Sequence, residues 1–106
     1  MRAYPLVEFP QTEDDYNAWL ACHPHGFVIN AWKKSTHVPD DMRGMTWHRA
    51  DCGHIGPFGT LRYVTGDTLK ACSTNPGALS EWAVAWHEPL HYCQTCRDKW
   101  RAEQGQ

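Results

Sequence analysis

Two thiols stand two residues apart in Cys93-Gln94-Thr95-Cys96, a spacing that packing does not require and that suits two ligands of one tetrahedral metal ion. Such a knuckle needs a second pair from elsewhere in the chain. His48 and Cys52 supply it, in Trp47-His48-Arg49-Ala50-Asp51-Cys52-Gly53-His54. Zinc takes soft thiolates and imidazoles, and structural sites usually draw two ligands from each of two short knuckles. The expected cofactor is therefore Zn2+, held by His48, Cys52, Cys93 and Cys96, with the chain between the pairs closed into one long loop. His54, Cys72 and His91 lie near the same knuckles in sequence, so each stands as an alternative to one of the four. The competing reading is four reduced, partly buried side chains with no metal.

The remaining thiols and imidazoles carry less. Cys72 falls at a strand end and reads as a core residue, and Cys22 beside a helix terminus reads as a small buried hydrophobe. His23-Pro24-His25 reads as a surface turn rather than a second metal site.

With 106 residues, 42% hydrophobic and 21% charged, the chain fits one domain with one modest core, a single zinc-binding domain over residues 1–106. No apolar run approaches the roughly 20 residues that a membrane-spanning helix needs, and the start, Met1-Arg2-Ala3-Tyr4-Pro5-Leu6, lacks the apolar segment of a signal peptide. A cytoplasmic location without membrane contact is expected. There the five cysteines stay reduced or bind metal rather than form a disulfide framework. Ten Lys and Arg against 12 Asp and Glu give no global steering toward nucleic acid, so any basic surface must be local. Six tryptophans are many for this length and serve either the core or an aromatic recognition surface.

The elements that must position the knuckles can be read from caps and periodicity. Residues 1–11, with Pro5 and Pro10, form an extended arm able to pair as an edge strand. Thr12 caps a helix with Glu13, Asp14 and Asp15 in its first turn and Tyr16, Trp19 and Leu20 on one face, ended by His23-Pro24-His25-Gly26. Phe27 to Trp32 reads as a strand, residues 35–44 as a polar loop, and Gly44 to Arg49 as its antiparallel partner, which carries His48 and Cys52 to the hairpin end. After a Gly-rich turn at Gly53, Gly56 and Gly59, two short strands flank Gly66-Asp67: Arg62-Tyr63-Val64 and Thr68 to Cys72. Asn75-Pro76 opens a helix with Leu79, Trp82, Ala83 and Trp86 as its buried stripe, and Glu88-Pro89 stops it. Leu90-His91-Tyr92 leads into the second knuckle, residues 97–103 have helical propensity, and 104–106 fray. The expected fold is α+β: a small antiparallel sheet with two or three helices around a structural zinc knuckle pair.

The order of hairpin, His48-Arg49-Ala50-Asp51-Cys52, strand, Asn-capped helix and Cys93-Gln94-Thr95-Cys96 resembles the metal-binding domain of the Ada DNA-repair protein and its small bacterial relatives, over about residues 46–100. The resemblance implies a treble-clef-type zinc module, of bacterial or phage origin, that contacts the DNA backbone, with His48, Cys52, Cys93 and Cys96 at the four ligand positions. In that family the first ligand is a zinc-bound thiolate that accepts a methyl group from a phosphotriester. Here the matching residue is His48, so the methyl transfer does not carry over. The insertion between the pairs is also longer here.

A non-catalytic nucleic-acid module is the first functional expectation, resting on Arg49 inside one knuckle and Arg97, Lys99 and Arg101 after the other, with Lys33-Lys34 at a hairpin end. Its partner would be a DNA backbone or a modified nucleotide. A protein-interaction or adaptor domain, with zinc as scaffold and Trp32, Trp47 and Trp100 as anchors, is the alternative. An enzyme is not expected: a catalytic zinc keeps an open position that four protein ligands would close.

Overall fold

A computed structural model describes residues 6–33, 39, 43–52 and 64–98. The Gly-rich turn after Cys52, His54, Arg62, Tyr63, Lys34, Lys99, Trp100, Arg101 and most of the 35–44 loop lie outside the described residues.

Helix α1 (Glu13–Cys22) starts where Thr12, in extended backbone, accepts the Asp15 N–H on its Oγ1 at 3.1 Å, with three acidic residues in the first turn against the helix dipole. Tyr16, Trp19 and Leu20 are its buried residues. The helix stops as the His23 N–H turns back onto the Trp19 and Leu20 carbonyls and Pro24 has no N–H to continue the ladder.

Strands β1 (Phe27–Trp32), β2 (Met45–Arg49), β3 (Thr68–Ser73) and β4 (Leu90–Tyr92) form one sheet in the order β3-β1-β2-β4. β1 is antiparallel to both β2 and β3, while β2 and β4 run parallel. The sheet is thus mostly antiparallel, with a parallel edge pair that the sequence reading did not include. β3 finds its partner in β1, and Val64 lies in a bend. The N-terminal arm adds one antiparallel bridge to the outer edge, with Glu8 and Cys72 exchanging N–H···O bonds of 2.8 Å.

Helix α2 (Pro76–Trp86) links β3 on one edge to β4 on the other, as a parallel pair requires of its connection. Asn75 Oδ1 accepts the Ala78 N–H at 3.0 Å, Pro76 occupies the first turn, and His87 closes the helix in the left-handed conformation at φ 62°. A further helix runs over 94–98 and is labelled α3.

Alternation along the strands splits the core between the two sheet faces. Ile29, Ala31, Met45 and Ala71 pack with Leu79, Trp82 and Ala83 of α2. Val28 and Cys72 pack on the other face with Tyr16, Trp19 and Leu20 of α1, and this second cluster continues into Ala50, Cys52, Cys93 and Cys96. Core and knuckles are therefore one continuous body on the α1 side.

Candidate metal centre

Val28 of β1 stands opposite both Cys72 of β3 and His48 of β2, so one rung of the sheet leads from the buried centre directly to the first knuckle. Beyond His48 the chain turns through Ala50 and Asp51. The Cys52 N–H bonds the Arg49 carbonyl at 3.0 Å, and the Ala50 N–H bonds the Gly26 carbonyl at 2.9 Å, which holds the turn against the end of α1. Gly26 permits that approach because a Cβ there would sit 2.7 Å from the Trp19 ring.

The parallel β2–β4 pair brings in the second knuckle. Its register sets Trp47 beside Tyr92, and the Cys93 N–H continues the ladder onto the Trp47 carbonyl at 3.0 Å. Parallel pairing makes both strands leave the sheet at the same end, so His48-x3-Cys52 and Cys93-x2-Cys96 emerge side by side. The Arg97 N–H bonds the Cys93 carbonyl at 3.0 Å, placing Cys93 and Cys96 on the first turn of α3.

The ligand atoms of His48, Cys52, Cys93 and Cys96 all lie within 4.8 Å of one another, and all four residues are buried. Cys52 Sγ and Cys93 Sγ are 3.9 Å apart. A tetrahedral ion with metal–sulfur bonds of ~2.3 Å separates its sulfurs by about 3.8 Å, so the spacing fits such an ion and no disulfide joins the thiols. The Arg49 N–H donates to Cys96 Sγ at 3.3 Å, the kind of backbone contact that favours a thiolate. Against it, burial pushes the Cys96 thiol upward, and the neighbouring Cys52 and Cys93 add to the effect. A thiol in such surroundings resists ionisation alone and accepts it beside a divalent cation. The donor set, three sulfurs and one imidazole, is that of a structural zinc site, so the cluster is a metal-binding site suited to an ion such as zinc.

Of the alternative ligands, Cys72 sits on β3 with β1 between it and His48, its thiol 3.9 Å from the Lys70 carbonyl. His91 is exposed on β4 beside Thr46, its ring close to Gly44. Neither belongs to the quartet. Cys22 is exposed, not the buried residue the sequence suggested. Helix α1 ends there, which leaves its side chain outside the packed Tyr16-Trp19-Leu20 face.

Among the basic residues, Arg49 is half-buried with its Nε 3.4 Å from Asp51 Oδ1, and Arg97 is exposed. Both flank the quartet. Lys33 does not, since it follows the far end of β1, where its N–H bonds the Asp67 carbonyl at 2.9 Å. Trp32 shares that far end and is half-buried. Trp47 lies at the metal end, between Phe27 at 5.5 Å and Tyr92 at 6.0 Å, centroid to centroid. Phe27 and Tyr92 had no functional reading from sequence, although an aromatic residue directly precedes each knuckle, Trp47 before His48 and Tyr92 before Cys93.

No helix among the described residues is long and apolar enough to cross a membrane. No protein-family model, curated protein or solved structure matches the chain.

Proposed function

We propose that the chain is a zinc-built, non-catalytic recognition module, related in design to the Ada metal-binding domain, that contacts the phosphates of nucleic acid. The metal-binding site is the firm part of this reading. Four buried protein donors would complete a tetrahedral shell, which supports a structural ion rather than one that activates water or substrate.

The observation that carries the nucleic-acid reading is the bond from the Arg49 N–H to Cys96 Sγ. It ties Arg49 to the residue just before Arg97, so two guanidinium-bearing residues 48 positions apart in sequence leave one corner of the fold. Arginine in pairs suits phosphate through fork-shaped, charge-assisted hydrogen bonds. Lys99 and Arg101 follow in sequence and lie outside the described residues. The Asp51 carboxylate, 3.4 Å from the Arg49 Nε, would compete with phosphate for that guanidinium.

Fluorescence anisotropy with labelled single-stranded and duplex oligonucleotides at low and moderate salt tests the reading. Affinity should fall with salt, and Arg97→Ala combined with Lys99→Ala should weaken binding to all sequences alike while lowering the salt slope by up to about two. Absence of binding at low salt, or a double variant that binds like the parent, would replace this reading with the protein-interaction one.

A further inference from the structure

The sheet has one face that its helix covers only in part. Helix α2 packs chiefly on β3 and β1 and reaches Met45 of β2, while Tyr92 at the β4 edge of the same face stays exposed. Pleat alternation sends Phe27, Trp47 and Tyr92 to this face, because Ile29, Trp47 and Tyr92 share one rung and Phe27 lies two residues from Ile29 on β1. The three rings run across three adjacent strands at centroid spacings of 5.5 and 6.0 Å, tilted by 47° and 40°. Phe27 and Trp47 are half-buried against the α2 core, which fixes them, and Tyr92 at the edge is 55% exposed.

Carboxylates lie beyond the strand ends, where Asp51 stands 3.4 Å from the Arg49 Nε and the exposed Asp98 follows Arg97. None of the four strands contains an Asp or Glu, and Arg49 follows Trp47 on the same face of β2, opposite Phe27. The acidic first turn of α1, Glu13 to Asp15, belongs to the helix on the opposite face. A row of aromatic rings ending in an arginine, beside a second arginine at Arg97, matches a ligand that alternates flat apolar rings with phosphates.

We infer that Phe27, Trp47 and Tyr92 form a base-stacking strip for single-stranded nucleic acid, the unpaired bases lying on the rings and the backbone passing Arg49 and Arg97. This rests on the phosphate-contact reading above and adds to it a preference for unpaired strands. Base–aromatic contacts tolerate any base, because every base has a flat face. The metal-binding residues adjoin the strip: Trp47 and Tyr92 are the residues before His48 and Cys93, so an ion joining the knuckles would also fix the two rings side by side.

The test compares the zinc-loaded full chain with Tyr92→Ala, Tyr92→Phe and, as a surface control on α2, Val84→Ser, on matched single-stranded and duplex oligonucleotides. Tyr92→Ala should weaken single-strand binding roughly 5- to 150-fold and leave duplex binding unchanged. Tyr92→Phe should stay within a few-fold of the parent and Val84→Ser should match it. A 5-iodouracil oligonucleotide should photocrosslink to Tyr92, Trp47 or Phe27, located by mass spectrometry of the peptides. Thermal melts of each variant separate loss of stacking from loss of fold. Equal affinity for single strand and duplex, with no effect of Tyr92→Ala and crosslinks elsewhere, would overturn the strip and leave the phosphate reading standing. If no oligonucleotide binds at low salt, both fall.

Discussion

The backbone N–H of Arg49 donates to the Sγ of Cys96 across 3.3 Å, joining residues 47 apart in sequence. It links the two knuckles through the protein's own atoms. The β2–β4 ladder, continued by the Cys93 N–H to the Trp47 carbonyl, links them a second time, so hydrogen bonds hold the knuckles together alongside any ion they share.

The contribution of that ion should be large. Purified protein is expected to carry one zinc per chain by elemental analysis, and chelation should abolish the cooperative thermal transition, since structural zinc sites contribute apparent binding free energies of about 10–16 kcal/mol at neutral pH. Cys93→Ser and Cys96→Ser should each lower metal content and collapse the transition. Cys22→Ser, at an exposed position, should shift stability by no more than about 0.5 kcal/mol. Metal well below one equivalent together with an intact fold in chelator would refute the structural role.

No methyl transfer should occur. On the proposed likeness to the Ada domain, His48 would take the position of that domain's acceptor thiolate, and an imidazole ligand offers the ion no sulfur to alkylate there. Incubation with an oligonucleotide bearing a methyl phosphotriester should leave the intact mass of the protein unchanged. A gain of one methyl on Cys52, Cys93 or Cys96 would assign the acceptor role to another sulfur.

Gly26→Ala should destabilise the fold by about 1–3 kcal/mol through overpacking, because its Cβ would sit 2.7 Å from the Trp19 ring and 3.2 and 3.3 Å from the carbonyls of His23 and Ser73. The Ala50 N–H bonds the Gly26 carbonyl, so the displaced backbone should also loosen the Cys52 turn. Denaturant melts and competition against a zinc chelator should register both effects. Unchanged zinc affinity alongside the stability loss would show that the turn is held independently of Gly26.

Lys70 should give the folding equilibrium a defined pH response. Burial lowers its ammonium from the ordinary 10.5 to about 8, with Lys33 acting in the same direction and Glu13 and Cys72 opposing. Between about pH 8 and 10.5 the unfolded chain therefore holds more of this proton than the native one, and the contribution of Lys70 to stability rises with pH. Cys72 acts in the opposite sense. Burial pushes its thiol from 9.0 up to about 12, the native state keeps a proton that the unfolded chain loses, and that contribution falls above about pH 9. The two are separated by Lys70→Met, whose stability relative to the parent should decline as pH rises from about 8 to 10.5. Urea melts at the two ends of the window measure it, and a difference that does not vary with pH would contradict a buried, easily deprotonated lysine.

The helices were legible in the sequence because their signals are local: Thr12 and Asn75 cap as their side chains predict, the Tyr16-Trp19-Leu20 stripe is buried, and of the Leu79-Trp82-Ala83-Trp86 stripe all but the half-buried Trp86 are buried. The β1–β2 hairpin was legible for a similar reason, as neighbours in sequence with matching patterns. The four clustered donors were nameable because each ligand pair is a short-range spacing. What the sequence could not display was β4. Three residues between Pro89 and Cys93 are too few for any periodicity, and their strand character comes from the edge of β2. The pairing of β3 with β1 was hidden likewise, because register between distant strands depends on which faces find cover. The positions of Lys33 and Trp32 followed from the same ignorance: only the register shows that they leave the sheet at the end away from the quartet.

Strand β4 also bears on solubility. At three residues it is a thin guard for β2, held on one side by the Pro89 carbonyl bond to the Met45 N–H and on the other by the knuckle that opens with Cys93. Stripped of its ion, that guard would detach first and bare a β2 edge that carries Met45 and Trp47. Open edges of this kind invite strands from other chains, so loss of the ion would add edge-to-edge association to the loss of folding.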